Sequence, residues 1–159
     1  MKYNIAVMGA GSWGTAIAKL LSDNNHNITV WSISEDEVNM LREYHENHDK
    51  LPGVKLPDSV CFTTDIKAAV TDKDLIVMVV PSTFVRSTSK SASKYIKDGQ
   101  LIVSLAKGIE EDTFMLMTDI IKDEISGCKV AALSGPSHAE EVGKAMPTTV
   151  VAGAKNIQT

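Results

Sequence analysis

Short β-branched runs alternate with helix-length stretches almost from one end of this chain to the other, and few architectures accept that alternation. Ile5-Ala6-Val7-Met8 is apolar at every position, as a parallel strand buried on both sides must be. Further strands are predicted at Ile28–Trp31, Val60–Thr63, Leu75–Val80, Leu101–Leu105, Lys129–Leu133 and Thr148–Ala152. Helices are predicted between them, at Ser12–Asn24, Glu35–His45, Asp65–Val70, Phe84–Ile96, Thr113–Ile125 and His138–Lys144. Ser34 with Glu37 three residues on reads as a capping box that starts the second helix. The stretch from Asn47 to Pro57, with Pro52 and Gly53, reads as a loop. Crossovers of this length between strands imply an α/β fold, a doubly wound and mostly parallel sheet with helices on both faces.

At 159 residues there is room for one domain with a proper core. A net charge of −4 gives no reason to expect nucleic acid as a partner, so any positive group facing an anion must be placed locally. Cys61 and Cys128 stand far apart without metal-type spacing and read as small buried apolar residues of a reducing compartment. The chain enters its first strand directly after Met1-Lys2-Tyr3-Asn4, which reads as the absence of a signal peptide. No apolar run approaches the roughly 20 residues of a membrane span, and the expected location is the cytoplasm.

Gly9-Ala10-Gly11-Ser12-Trp13-Gly14 follows the first strand and opens the first helix. That context gives the G-x-G-x-x-G pattern meaning, since glycines alone can serve a turn and nothing more. Gly9 permits the tight turn, Gly11 lets backbone approach a pyrophosphate, and Gly14 lets helix and strand pack closely. Free N–H groups and the partial positive charge of the helix N-terminus then face the phosphates. The fold expected is Rossmann-like, and the ligand is a dinucleotide. Whether it is NAD or NADP turns on the end of the second strand, where Trp31-Ser32-Ile33-Ser34 offers neither an acid nor an arginine. Serine hydroxyls can donate to a 2′-phosphate, so the residues lean slightly toward NADP and leave NAD open.

In an open α/β sheet, ligands sit beyond the carboxyl ends of the strands. Three such ends carry chemistry here. Pro81-Ser82 is a small polar corner that can lie against the nicotinamide ribose. Lys107, between Ala106 and Gly108, is either a lysine snorkelling to solvent or an ammonium that stabilises charge developing on a substrate oxygen. Ser134-Gly135-Pro136-Ser137 is either a plain turn or a set of donors at a helix start. His138 reads as structural rather than as a proton carrier, His45 and His48 as solvated rather than metal-bound, and Met115 and Met117 as core filler.

Taken in order, these residues resemble the bacterial-type NAD(P)-dependent glycerol-3-phosphate dehydrogenases. The resemblance is carried by Gly9–Ala16, Leu51-Pro52-Gly53-Val54, Val80-Pro81-Ser82, Lys107-Gly108-Ile109-Glu110, Leu133–Ser137, Ala139-Glu140-Glu141-Val142 and Pro147-Thr148. It implies that Ser12 and Trp13 touch the cofactor, that Lys107 touches cofactor and substrate, that Gly135 and Ser137 line the substrate, and that Ala139 packs on the cofactor. With the glycines, Ser32, Ile33 and Pro81 complete the expected cofactor set, and no metal is expected. Three positions depart from the family's habit. It often has a basic residue near Ser32 or Ile33, an aromatic in place of His138 and a tyrosine in place of Lys50.

The resemblance further implies interconversion of sn-glycerol 3-phosphate and dihydroxyacetone phosphate, in the service of phospholipid synthesis, and leaves a homodimer open for the full-length protein. Residues 1–153 would be the NAD(P)-binding domain, and 154–159 the start of a linker or helix into a C-terminal helical domain. That second domain would carry the general-base lysine and the groups that hold the substrate phosphate, so this stretch would bind nucleotide without turning substrate over. Rival readings are a ketopantoate reductase or hydroxyacyl-CoA dehydrogenase with the same first domain, and a non-catalytic nucleotide sensor.

Overall fold

The computed structural model describes residues 1–155. It contains a seven-stranded sheet of order β3-β2-β1-β4-β5-β6-β7, made of β1 (Asn4–Met8), β2 (Asn27–Trp31), β3 (Cys61–Thr63), β4 (Leu75–Met78), β5 (Leu101–Ser104), β6 (Lys129–Ser134) and β7 (Val151–Ala154). All pairings are parallel except that of β6 with β7. The strand order reverses between β1 and β4, which opens a crevice at their carboxyl ends.

The two-residue period of the strands sorts their side chains into two cores. Ala6 and Met8 of β1 join Ile76, Met78, Ile102 and Val130 on one face. There they meet α3 (Ile66–Val70), α4 (Ser82–Ser93) and α5 (Met117–Glu124). Ile5 and Val7 join Ile28, Val30 and Val77 on the other face, under α1 (Ser12–Asp23) and α2 (Glu35–Tyr44). Side chains such as Ile76 and Ile102 are fully buried, and each contributes about 1.5–3 kcal/mol of hydrophobic stabilisation. The last helix, α6 (Ala139–Gly143), packs on α1 through Ala139, Ala16, Leu51 and Val54. The predicted doubly wound α/β architecture is therefore the observed one.

Four local expectations need correction. The strand predicted over Leu75–Val80 leaves the ladder at Met78; Val79 still donates to the Met8 carbonyl (3.0 Å), and Val80 passes beneath the glycine turn. The helix predicted from Thr113 starts at Met117, because residues 109–116 fold back on themselves. Ile109 bridges Leu116, Glu110 donates to the Met115 carbonyl, and Phe114 takes a positive φ of 56°. Met115 therefore sits in this turn, half-packed on the core, whereas Met117 is buried in α5.

The final strand begins at Val151 rather than Thr148 and runs antiparallel. Residues 148–150 are needed to cross Gly135, where a Cβ would meet the Thr149 carbonyl at 2.7 Å. Of the expected linker or helix over 154–159, Ala154 belongs to β7, and residues 156–159 lie outside the described residues. Finally, Cys61 is exposed on the outer strand β3 and Cys128 is half-buried, so neither is the fully buried apolar residue expected. Among the described residues, no helix is long and apolar enough to cross a membrane, and no cluster of side chains is suited to a metal ion.

Candidate functional site

A cavity of about 780 Å³ opens at the β1/β4 switch point, a volume in the range of small-molecule and cofactor sites. Its floor is the glycine turn. Gly9 has φ +125°, a conformation that side chains rarely adopt, and its N–H donates to the Trp31 carbonyl at 2.9 Å. The Ala10 carbonyl accepts from the Thr15 hydroxyl (3.1 Å) and from the Asn47 amide (2.8 Å), so the turn is held from both sides.

Gly11 then starts α1 with no side-chain cap and no acidic residue in the first turn. The leading N–H groups of a helix have no partner within it, and here they face the cavity together with the dipole's positive end. A Cβ on Gly11 would project into open space, whereas the rest of the turn is tightly packed. That cradle fits a pyrophosphate, and the residues present are those a dinucleotide requires.

Every residue expected to touch the cofactor lines this one cavity: Gly9, Gly11, Ser12, Trp13, Gly14, Ser32, Ile33, Pro81, Lys107 and Ala139. Of the expected substrate residues, Lys107 and Ser137 line it too, while Gly135 is not among its lining residues. The Lys107 ammonium lies 3.4 Å from the Gly135 carbonyl and 3.5 Å from that of Ser137, loose contacts between segments that follow the paired strands β5 and β6. Lys107 is an exposed residue, and it lines the same cavity as the glycine turn. Gly108, at φ +115°, turns the chain sharply after it. His138 also lines the cavity, as the N-cap of α6.

The turn that follows Lys107 is clamped by Arg86 of α4. Its guanidinium forks onto both oxygens of Glu110 (2.6 and 2.8 Å) and also reaches Asp123 (2.6 Å) and Glu124 (2.7 Å) of α5. Arg86 and the Thr113 hydroxyl hold the Glu110 carboxyl down at about 2, and the surrounding acids raise the already high Arg86 pKa further. The sequence reading missed this clamp, since its members lie on three separate segments.

It also missed a polar cluster under the end of β2. Glu37, which is 9% exposed, accepts from the buried Ser32 hydroxyl at 2.5 Å, from the Lys50 ammonium at 2.7 Å and from the Asn47 amide at 3.3 Å. Glu37 and Lys50 both line the cavity. Ser34 does cap α2, accepting from the Glu37 N–H at 3.3 Å, but the Glu37 side chain does not return to close the box. It has better donors, and the Ser34 N–H goes to Ser32 Oγ instead (3.2 Å). The S-x-x-E spacing was the available signal for Glu37; Lys50 and Asn47 were hidden in a segment read as loop.

A doubly wound sheet whose first helix opens on an uncapped glycine turn, beside a cavity at the switch point, defines a Rossmann-type nucleotide-binding domain. Comparison with known proteins narrows this further. The chain belongs to the family described as NAD-dependent glycerol-3-phosphate dehydrogenase N-terminus, whose model matches residues 4–159.

It is 53% identical over 155 residues to the glycerol-3-phosphate dehydrogenase (NAD(P)+) of Agathobacter rectalis, covering 98% of this chain and 46% of that protein. It is 51% identical over 154 residues to the protein of the same name from Fusobacterium nucleatum, covering 96% of this chain and 46% of that one. The crystal structure of glycerol-3-phosphate dehydrogenase from Coxiella burnetii superimposes with a TM-score of 0.92 at 30% identity, over 99% of this chain and 48% of that chain. The chain thus spans about half the length of the relatives it matches.

Proposed function

We propose that this chain is the cofactor-binding half of an NAD(P)-dependent glycerol-3-phosphate dehydrogenase, interconverting sn-glycerol 3-phosphate and dihydroxyacetone phosphate in the cytoplasm. The observation that carries the reading is the placement of the Lys107 ammonium and the glycine turn on one cavity, in a chain of this family. Gly11, Ser12, Trp13 and Gly14 would hold the pyrophosphate, with Ser32 and Ile33 at the adenosine ribose and Pro81 and Ala139 along the walls. The bound nicotinamide supplies the hydride chemistry.

What the chain itself contributes is orientation and charge. Lys107 is placed to hold the substrate's reacting oxygen and to stabilise negative charge as it develops there. Ser137 would shape the neighbouring wall, and the Gly135 and Ser137 carbonyls stand near the ammonium. A general-base lysine and the groups that grip the substrate phosphate would come from a C-terminal helical domain, beginning beyond β7. The product, glycerol 3-phosphate, would serve phospholipid synthesis.

The test is an assay of the full-length protein with dihydroxyacetone phosphate and each reduced cofactor in turn. Oxidation of NADH or NADPH that depends on dihydroxyacetone phosphate is the expected result. No turnover of it, with turnover of ketopantoate or a 3-oxoacyl thioester instead, would overturn the assignment.

A further inference from the structure

The hydrogen bonds under the end of β2 bear on which of the two dinucleotides the cavity accepts, and the inference drawn from them rests on the cofactor reading above. Specificity at this place depends on what meets the adenosine ribose: an acceptor for a 2′-hydroxyl, or cations and donors for a 2′-phosphate. Composition alone presents two serines there and leans slightly toward the phosphate. The geometry reverses that lean.

The Ser32 hydroxyl proton is committed to Glu37 at 2.5 Å, and its oxygen already accepts from the Ser34 N–H at 3.2 Å. A hydroxyl oxygen has one proton and two lone pairs, so what Ser32 has left to offer is a single acceptor site. That suits a ribose hydroxyl and not a phosphate oxygen. Among the described residues, Lys50 is the cation lining the cavity near this point, and its ammonium is paired with Glu37 at 2.7 Å. Ile33, the side chain that could have carried a second cation, is apolar and 85% exposed.

The start of α2 would ordinarily attract an anion. Here its first turn carries Glu35, Asp36 and Glu37, which offset the dipole, and Ser34 already occupies the Glu37 N–H. A small recess beside the cavity is lined by Asp36, Glu37 and Asp49, with Lys50 as its only cation. A 2′-phosphate would bring roughly two negative charges into this setting with no unpaired cation to meet them.

We propose that Glu37 is a specificity-determining residue that makes this an NAD site. Through Ser32 it presents an acceptor to the ribose 2′-hydroxyl, and by neutralising Lys50 it denies a 2′-phosphate its counter-charge.

The experiment is titration of the full-length protein with NADH and NADPH separately, following Kd by calorimetry, for wild type, Glu37→Gln and Ile33→Arg. Wild type should bind NADH more tightly by roughly tenfold or more. Glu37→Gln, which frees the Lys50 charge, should shift the ratio of the two Kd values toward NADPH by about tenfold. NADPH binding as tight as NADH in wild type would overturn the inference, and so would a Glu37→Gln ratio within about twofold of wild type.

Should Glu37→Gln fail to fold, Ile33→Arg carries the test from an exposed position. It should shift the ratio of the two Kd values toward NADPH at least roughly tenfold, and an unchanged ratio would overturn the inference. No binding of either dinucleotide at millimolar concentration would instead defeat the cofactor reading on which this rests.

Discussion

Gly14 stands directly against Gly9: a Cβ on Gly14 would lie 1.9 Å from the Gly9 carbonyl oxygen. Two glycines of the turn are thus packed on each other, while Gly11 between them faces open space. Their substitutions should separate folding from binding. Gly14→Ala forces backbone apart and should cost about 3 kcal/mol or more, since overpacking at an immobile neighbour is at the severe end of its range. Gly11→Ala keeps an allowed φ of −64° and should cost about 1 kcal/mol or less, while loosening dinucleotide binding roughly tenfold. Denaturant midpoints and calorimetric Kd values on both variants check this. Equal stabilities would mean that helix and strand can part more easily than the geometry allows.

Lys107→Ala in the full-length enzyme should lower kcat/KM about 10²-fold or more, the scale of losing one charge-stabilising group in a closed site. Ser32→Ala, distant from the reacting end, should cost no more than about tenfold. Steady-state kinetics with saturating cofactor decide it. Small and equal losses would take Lys107 out of the chemistry.

The Arg86–Glu110 fork should be visible in the pH dependence of stability. The Glu110 pKa falls from 4.5 to about 2 on folding, so its carboxylate stabilises the native state above about pH 4.5. That contribution is lost as pH falls through the folded value of about 2. Glu110→Gln should therefore be less stable than wild type at neutral pH, and the two curves should converge as pH drops from about 4.5 toward 2. A difference that is flat with pH would show that the carboxylate's charge is not what holds the turn.

The two cysteines should differ in reactivity. Cys61 is exposed, whereas burial pushes the Cys128 thiol pKa up and depletes its thiolate. Alkylation near pH 8, followed by peptide mass spectrometry, should label Cys61 at least roughly tenfold faster. Faster labelling of Cys128 would contradict the burial described for it.

What was legible in the sequence was whatever depends on a period or on a turn. Ile5–Met8 and Leu75–Met78 announce buried strands by apolar continuity, and Gly9, Gly11 and Gly14 announce the turn between strand and helix. Boundaries set by distant residues were not legible. Thr113–Leu116 has helical character on its own, but Arg86, a partner 24 residues from Glu110, pulls the preceding turn into another shape. Thr148–Val150 has strand character, yet its backbone is spent in crossing Gly135. Glu37 was legible as half of a cap and illegible as the centre of a cluster, because its side-chain partners at Ser32, Asn47 and Lys50 are gathered only by the fold.

Trp13 belongs to two otherwise separate groups of apolar side chains, the sheet-facing one with Ile17 and Val38 and the outer one with Ala16, Leu51, Val54 and Ala139. Leu51 and Val54 do not border the cavity, yet they bear on the helix whose first residues form its floor. Affinity is then open to adjustment from outside the ligand's reach: altered bulk at either position would tilt α1 and retune the grip on phosphate without replacing any group that touches it.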